Sequence, residues 1–363
     1  MMKLPVFLQL LMLLFLARPL AATERITAAE FHAAKQPQVA INSEGTIYVV
    51  FGKHESVYTT RSDDNGGSFS DPVQVATLPK LALGMRRGPR IATAGQNVIV
   101  TAISHETGNL YTWRSTDRGR SWSESKRINS VAKSAVEGLH DLGSDGKDRI
   151  AALWLDLRSG KTELWASVSN DRGETWRSNS LVYRSPDLSI CECCHPSIAF
   201  TASGEIVAMW RNSLNGSRDI YRAGSFNGGE SFSAATKIGT GTWKLQACPM
   251  DGGDLVVDGE RVFYTWRRDR TILATTDLAS ETVISDTGTH PVAVRTAAGI
   301  GIIWQSEGSL FWLAPGHPEK KMFSPNAAFA SSAWHPLRKG SIVVWEGGDG
   351  IYARFVQGTF GLK

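Results

Sequence analysis

The feature that most limits what this chain can fold into is a short segment written four times. It reads SDDNGGSF at Ser62–Phe69, STDRGRSW at Ser115–Trp122, SNDRGETW at Ser169–Trp176 and SFNGGESF at Ser225–Phe232. All four fit S-x-[DN]-x-G-x-[ST]-[WF], and their starts lie 53, 54 and 56 residues apart. A near-constant period marks one structural unit per repeat. Each copy encodes a tight turn. Asp64, Asp117, Asp171 and Asn227 have side chains short enough to fold back onto nearby backbone N–H groups. Gly66, Gly119, Gly173 and Gly229 supply the positive φ such a turn needs, and the closing Trp or Phe is expected to plug the space beneath.

Alternating strand pairs recur around these turns. They run over Pro37–Lys53, Pro89–Ser104, His140–Asp156 and Pro196–Asn212, then without clear turn motifs over Gly253–Arg268, Pro291–Ser306 and Ala330–Glu346. Trp154, Trp210, Trp266, Trp304 and Trp345 fall at the same point of successive second strands. That regularity reads as packing between units rather than as a binding surface.

The four turns resemble Asp-boxes, the BNR repeats of sialidases and of many non-enzymatic β-propellers. The resemblance implies an all-β propeller of four-stranded blades, with each box turning the third strand into the fourth. Seven strand pairs predict seven blades. Sialidases of this family have six, and the irregular last two units leave six as the alternative. The seventh blade is one strand short after Ile351–Gln357, and Glu24–Phe31 is placed to supply its outer strand and close the ring.

The N-terminus is read separately. Lys3, an apolar run from Leu4 to Ala17 and the small residues near Ala22 form a three-part secretory signal pattern. Fourteen apolar residues fall short of the ~20 a membrane span requires. Residues 1–22 are therefore expected to be an export signal and 23–363 a single propeller domain, periplasmic or secreted, with no transmembrane anchor after cleavage. Loss of Lys3 and Arg18 leaves 37 basic against 35 acidic side chains, and no Lys/Arg run exceeds two residues. That balance gives no footprint for nucleic acid. Export also permits disulfides.

Propeller topology places the 1–2 and 3–4 turns on one rim. The 2–3 loops and the loops crossing between blades lie on the other, around the channel mouth. The run CECCHP, Cys191–Pro196, falls in the crossing loop from blade three to blade four. Cys248 lies 54 residues after Cys194, one blade period, so all four sulfurs are expected to converge. Six of the eight histidines map to this face: His32, His54, His105, His140, His195 and His290. Arg86, Arg87, Arg90, Arg211 and Arg267 map there too and are candidates for holding a ligand.

For the cysteines three chemistries stay open. One is structural: two disulfides tying neighbouring blades, or one disulfide with a vicinal Cys193–Cys194 pair. Another is a thiophilic site in which Cys191, Cys193, Cys194, His195 and Cys248 hold copper or zinc. The remaining one is thiol–disulfide redox chemistry. The C-x-C-C-x-P run, with a Cys-Pro segment one blade later, resembles a subgroup of exported bacterial BNR proteins.

The sialidase resemblance implies three arginines on a sialic acid carboxylate, a tyrosine nucleophile assisted by a glutamate, and an acid/base aspartate. The nearest approach to the family's first arginine segment is Gly88–Ala92, which holds Arg90 and Ile91 but lacks the flanking aromatic and the proline. Tyr264 is the one candidate nucleophile. The preferred reading is a binding or assembly module presenting a Cys/His/Arg cluster to a small ligand, a soft metal ion or a glycan. An exo-sialidase-type hydrolase and a disulfide-stapled scaffold are the alternatives.

Overall fold

The computed structural model describes residues 23–358; the expected export signal lies outside them. Seven four-stranded antiparallel sheets surround one axis, each running from an inner to an outer strand. The inner strands are Lys35–Ile41, Arg90–Ala94, His140–Ser144, Ser197–Phe200, Asp254–Asp258, Thr289–Thr296 and Ala328–His335. Each touches the inner strand of the next blade, and the seventh touches the first. Seven blades is therefore the observed count.

Ring closure follows the expected route. Glu24 and Arg25 pair with Ala353 and Tyr352, so the N-terminal segment forms the outer strand of blade seven. The Gln36 N–H, at the head of blade one, also donates to the Glu346 carboxylate of blade seven at 2.5 Å. Among the described residues no helix is long and apolar enough to cross a membrane.

Seven apolar clusters hold the blades together, one at each junction. The periodic tryptophans account for five of them. Trp154, Trp210, Trp266, Trp304 and Trp345 are buried, each against the blade before its own. Truncating such a ring removes both transfer energy and packing, about 3–5 kcal/mol each.

The four turn motifs share one hydrogen-bond pattern. In the second, the Gly119 N–H donates to Ser115 Oγ at 2.8 Å, the Ser121 N–H to Asp117 Oδ1 at 2.9 Å, and Ser115 Oγ to the same carboxylate at 2.8 Å. Gly173 N–H and Thr175 N–H repeat the pattern on Ser169 and Asp171, as Gly66 N–H and Ser68 N–H do on Ser62 and Asp64. In the fourth copy Asn227 Oδ1 takes the Ser231 N–H. The glycines sit at φ between +80° and +91°. Blade five carries a degenerate version that the sequence pattern missed: the Asp277 N–H bonds to Thr275 Oγ1 and the Ala279 N–H to Asp277 Oδ1.

Asn227 shows that a neutral amide oxygen suffices for the turn. Asp171→Asn should therefore cost little, and Asp171→Ala about 1 kcal/mol, as read by chemical denaturation. For Asp117, slight burial opposes ionisation, but the hydrogen bonds of Ser121, Ser115 and Arg120 hold the carboxyl down at about 2. Its contribution is present above the usual value of 3.8 and lost as pH falls toward 2. Asp117→Asn should remove that acid sensitivity.

Candidate functional site

Two crossing loops meet at the channel mouth. One joins the end of blade three, Tyr183, to Ser197 of blade four; the other joins Lys237 of blade four to Asp254 of blade five. Their approach depends on Gly252, where a Cβ would lie 1.7 Å from the His195 carbonyl oxygen. The Gly252 N–H also donates to His195 Nδ1 at 3.3 Å.

Arg211, at the end of its strand, clamps the loops from beneath. Its Nε donates to the Asp251 carbonyl at 2.8 Å, and its two terminal nitrogens donate to the Arg218 and Arg267 carbonyls at 2.6 and 2.8 Å. The side chain is 1% exposed. The sequence placed Arg211 among ligand-binding groups; its donors are instead turned inward onto the backbone.

The four sulfurs do converge. Cys193 and Cys248 form a disulfide, with Cα atoms 6.1 Å apart. Cys191 and Cys194 are free thiols, with Sγ atoms 2.6 Å apart and lying 3.8 and 4.0 Å from Cys193 Sγ. This corrects the sequence-level metal set: in the disulfide, Cys193 and Cys248 offer no thiolate, so the thiolate donors reduce to Cys191 and Cys194. It also excludes the vicinal Cys193–Cys194 bond from this state. Met250, which the sequence gave no reason to single out, packs its thioether side chain against the cysteines.

The two thiols are not equivalent. The Cys194 hydrogen bond holds Cys191 down at about 7 against the cost of burial, helped by the positive charges of Arg211 and Arg218. Burial and the neighbouring Cys191 push Cys194 well above the usual thiol range. Cys191 is therefore the more acidic thiol of the two and Cys194 the one that keeps its proton.

Beside the sulfurs lies a buried polar group. Burial opposes the charge of Asp251, yet His290, Arg211 and the His290 N–H at 2.7 Å hold its carboxyl down at about 2. Burial also pushes His290 down, so at neutral pH its ring is uncharged, leaving Arg211 and the N–H contact to support the Asp251 anion. His195 and His140 are pushed far lower, first by burial and then by Arg86 and Arg90 respectively, and are neutral.

The remaining arginines do not form a free clamp. Arg86, in left-handed backbone at φ 65°, reaches across the opening to donate to the carbonyls of Ala330 in blade seven and His290 in blade six. Arg90 donates to the Gly88, Pro89 and Arg86 carbonyls, with Nε 3.6 Å from the Asp141 carboxylate. Arg87 turns away to the Glu137 carbonyl, and Arg267 lies over Trp243. Tyr264 is 2% exposed in the core between blades four and five, and burial pushes its phenol up to about 12, so it is no channel nucleophile.

Arg86 and Arg90 border a channel cavity of about 170 Å³, lined also by Gln38, Asp141, Asp254 and Ser331. Burial raises Asp254 to about 6, against the Ala293 N–H and Arg86. A raised folded value contributes stability that is complete below 3.8 and lost as pH rises through about 6. Asp254→Asn should flatten that fall, worth at most about 3 kcal/mol and less where the cavity admits solvent. Thermal midpoints of both proteins between pH 4 and 8 measure it.

Residues 97–247 match the family model described as a BNR repeat-like domain. The sequence matches none of the curated proteins. Among solved structures, the chain is similar to a Dyadobacter fermentans protein described as of unknown function, at 18% identity and TM-score 0.50, covering 83% of this chain and 97% of that one. It is similar to YCF48 from Cyanidioschyzon merolae at 12% identity and TM-score 0.53, covering 93% and 99%. A Hadza microbial sialidase aligns at 11% identity and TM-score 0.49, over 92% of this chain and 68% of that one. At such identities the likeness concerns the fold alone.

Proposed function

We propose that this chain, an Asp-box β-propeller whose residues 97–247 match the BNR repeat-like family model, uses its two crossing loops as a binding module for a soft metal ion. Cu(I) is preferred over Zn(II). One observation carries this reading: two free, buried thiols in contact, with the Met250 side chain packed against the cysteine cluster that holds them. Thiolate and thioether sulfur are the donors that select Cu(I). Cys191 and Cys194 are the ligands, Met250 a further soft donor, and the Cys193–Cys248 disulfide fixes the loops that carry them. The export signal expected at residues 1–22 accords with a module working outside the cytoplasm.

The donor set fits if the two sulfurs move apart by about 1–2 Å. With metal–sulfur distances of about 2.3 Å, two ligating sulfurs lie roughly 3.7–4.6 Å apart, against the 2.6 Å observed here. A bound metal and a Cys191–Cys194 disulfide exclude each other, since each uses both sulfurs.

The test is a titration of the purified protein, disulfide intact, with Cu(I) against a chromophoric chelator. One Cu(I) per chain is expected, with affinity reduced at least about 100-fold in Cys191→Ser/Cys194→Ser, or ~3 kcal/mol. Absence of stoichiometric copper, or equal affinity in the variant, would remove the proposal.

A second reading rests on the channel cavity. Asp254, held near pH 6, and Asp141 face two buried arginines across it, an arrangement able to hold one carboxyl protonated for glycoside chemistry. Release of dye from a fluorogenic sialoside, abolished by Asp254→Asn, would support an exo-sialidase-type hydrolase; no turnover would exclude this substrate.

A further inference from the structure

We propose that the four cysteines form a thiol–disulfide relay, in which the Cys193–Cys248 bond, open to solvent at its Cys248 end, passes oxidation inward to the buried Cys191–Cys194 pair. The activity goes beyond metal capture and needs no metal. Two observations carry it. The first is contact: Cys191 Sγ lies 3.8 Å from Cys193 Sγ and 2.6 Å from Cys194 Sγ, so one sulfur touches both partners. The other is access. Cys191 and Cys194 are 0% and 1% exposed and Cys193 6%, whereas Cys248 is exposed. Solvent reagents therefore meet the cluster at Cys248.

The exchange balances within the chain. Cys191 thiolate attacks Cys193 Sγ, forming a Cys191–Cys193 bond and expelling Cys248 as thiolate. Cys194 thiolate then attacks Cys191 Sγ, forming Cys191–Cys194 and expelling Cys193. The two protons lost by Cys191 and Cys194 pass to the two leaving sulfurs. One disulfide and one dithiol exchange places, with no net electron change. A small disulfide RSSR re-oxidises the Cys193/Cys248 dithiol through a mixed disulfide at Cys248, releasing two RSH. Reduction by a small thiol enters by the same door. Closure of Cys191–Cys194 would also consume the proposed metal ligands.

The test starts from fully reduced protein in a chelating buffer, so that its outcome is independent of metal binding. One equivalent of oxidised glutathione is added, and samples are quenched in acid, alkylated and mapped by mass spectrometry. The expected order is glutathione on Cys248, then Cys193–Cys248, then Cys191–Cys194. Cys194→Ser should accumulate Cys191–Cys193. Cys248→Ser should slow closure of the buried pair about tenfold or more. Where that variant folds poorly, alkylating the exposed Cys248 on the folded, reduced chain supplies the same block. Cys191–Cys194 closing as fast with Cys248 blocked, or never closing in the unmodified protein, would overturn the relay.

Discussion

Arg211→Met is expected to lower the unfolding free energy by about 3–5 kcal/mol. The guanidinium is nearly inaccessible, and its three contacts end on the carbonyls of Asp251, Arg218 and Arg267. Methionine fills much of the volume but leaves one buried and two partly buried carbonyls without this donor. It also removes a positive charge beside Asp251, a buried carboxylate that then has less to support its ionised form. Arg211→Lys should not restore stability, because one ammonium cannot satisfy three divergent carbonyls. Thermal or chemical denaturation measures the loss. An unchanged midpoint would mean that Arg211 faces a ligand, as its place at the end of a strand on the channel side first suggested.

Removing the disulfide is the second large effect. Cys193 and Cys248 are 55 residues apart in sequence, and the chain-entropy relation assigns a loop of that size about 4 kcal/mol. Cys193→Ser/Cys248→Ser should thus lower stability by roughly 2–4 kcal/mol, with the seven apolar blade junctions intact. The loops, not the propeller, should loosen first, since the bond links two crossing segments rather than two strands. Hydrogen exchange would show this as faster exchange confined to residues near 184–196 and 238–253. An unchanged stability would contradict a stapling role.

The parts of this molecule legible in sequence are those set by neighbours along the chain. Each Asp-box closes within seven residues, so Ser115, Asp117, Gly119 and Ser121 carry their own geometry. The blade period then carries Cys248 to the cysteine run, and strand counting leaves a vacancy that Glu24–Arg25 fills. What the pattern could not supply were contacts made across the ring. Arg86 bonds to carbonyls 204 and 244 residues away, and nothing local marks it as a bridge. One-period arithmetic put Cys248 opposite Cys194, yet the bond goes to Cys193, 55 residues away; a period counted in strands does not fix which of two neighbouring side chains in an irregular loop faces the partner. Arginines at strand ends read alike whether they face a ligand, as proposed for Arg211, or the backbone beneath. Met250 was silent because a single methionine in a loop has no spacing to betray it.

The cysteine site is where local rules and fold agree least. Its loops hold Leu188 and Met250 in left-handed backbone, at φ 78° and 56°, and bury Asp251 without exposure; His290, at φ 51° in the inner strand of blade six, packs beside them. Such concentrations of unfavourable features persist where the surrounding structure over-determines them, and here Arg211 and the disulfide do so.

X-ray absorption at the copper edge, on protein carrying one equivalent of Cu(I), addresses the thiol pair most directly. The account predicts an inner shell containing at least two sulfur neighbours, lost in Cys191→Ser/Cys194→Ser and kept in Asp254→Asn. A shell of nitrogen and oxygen alone, or one unaffected by the serine substitutions, would contradict it.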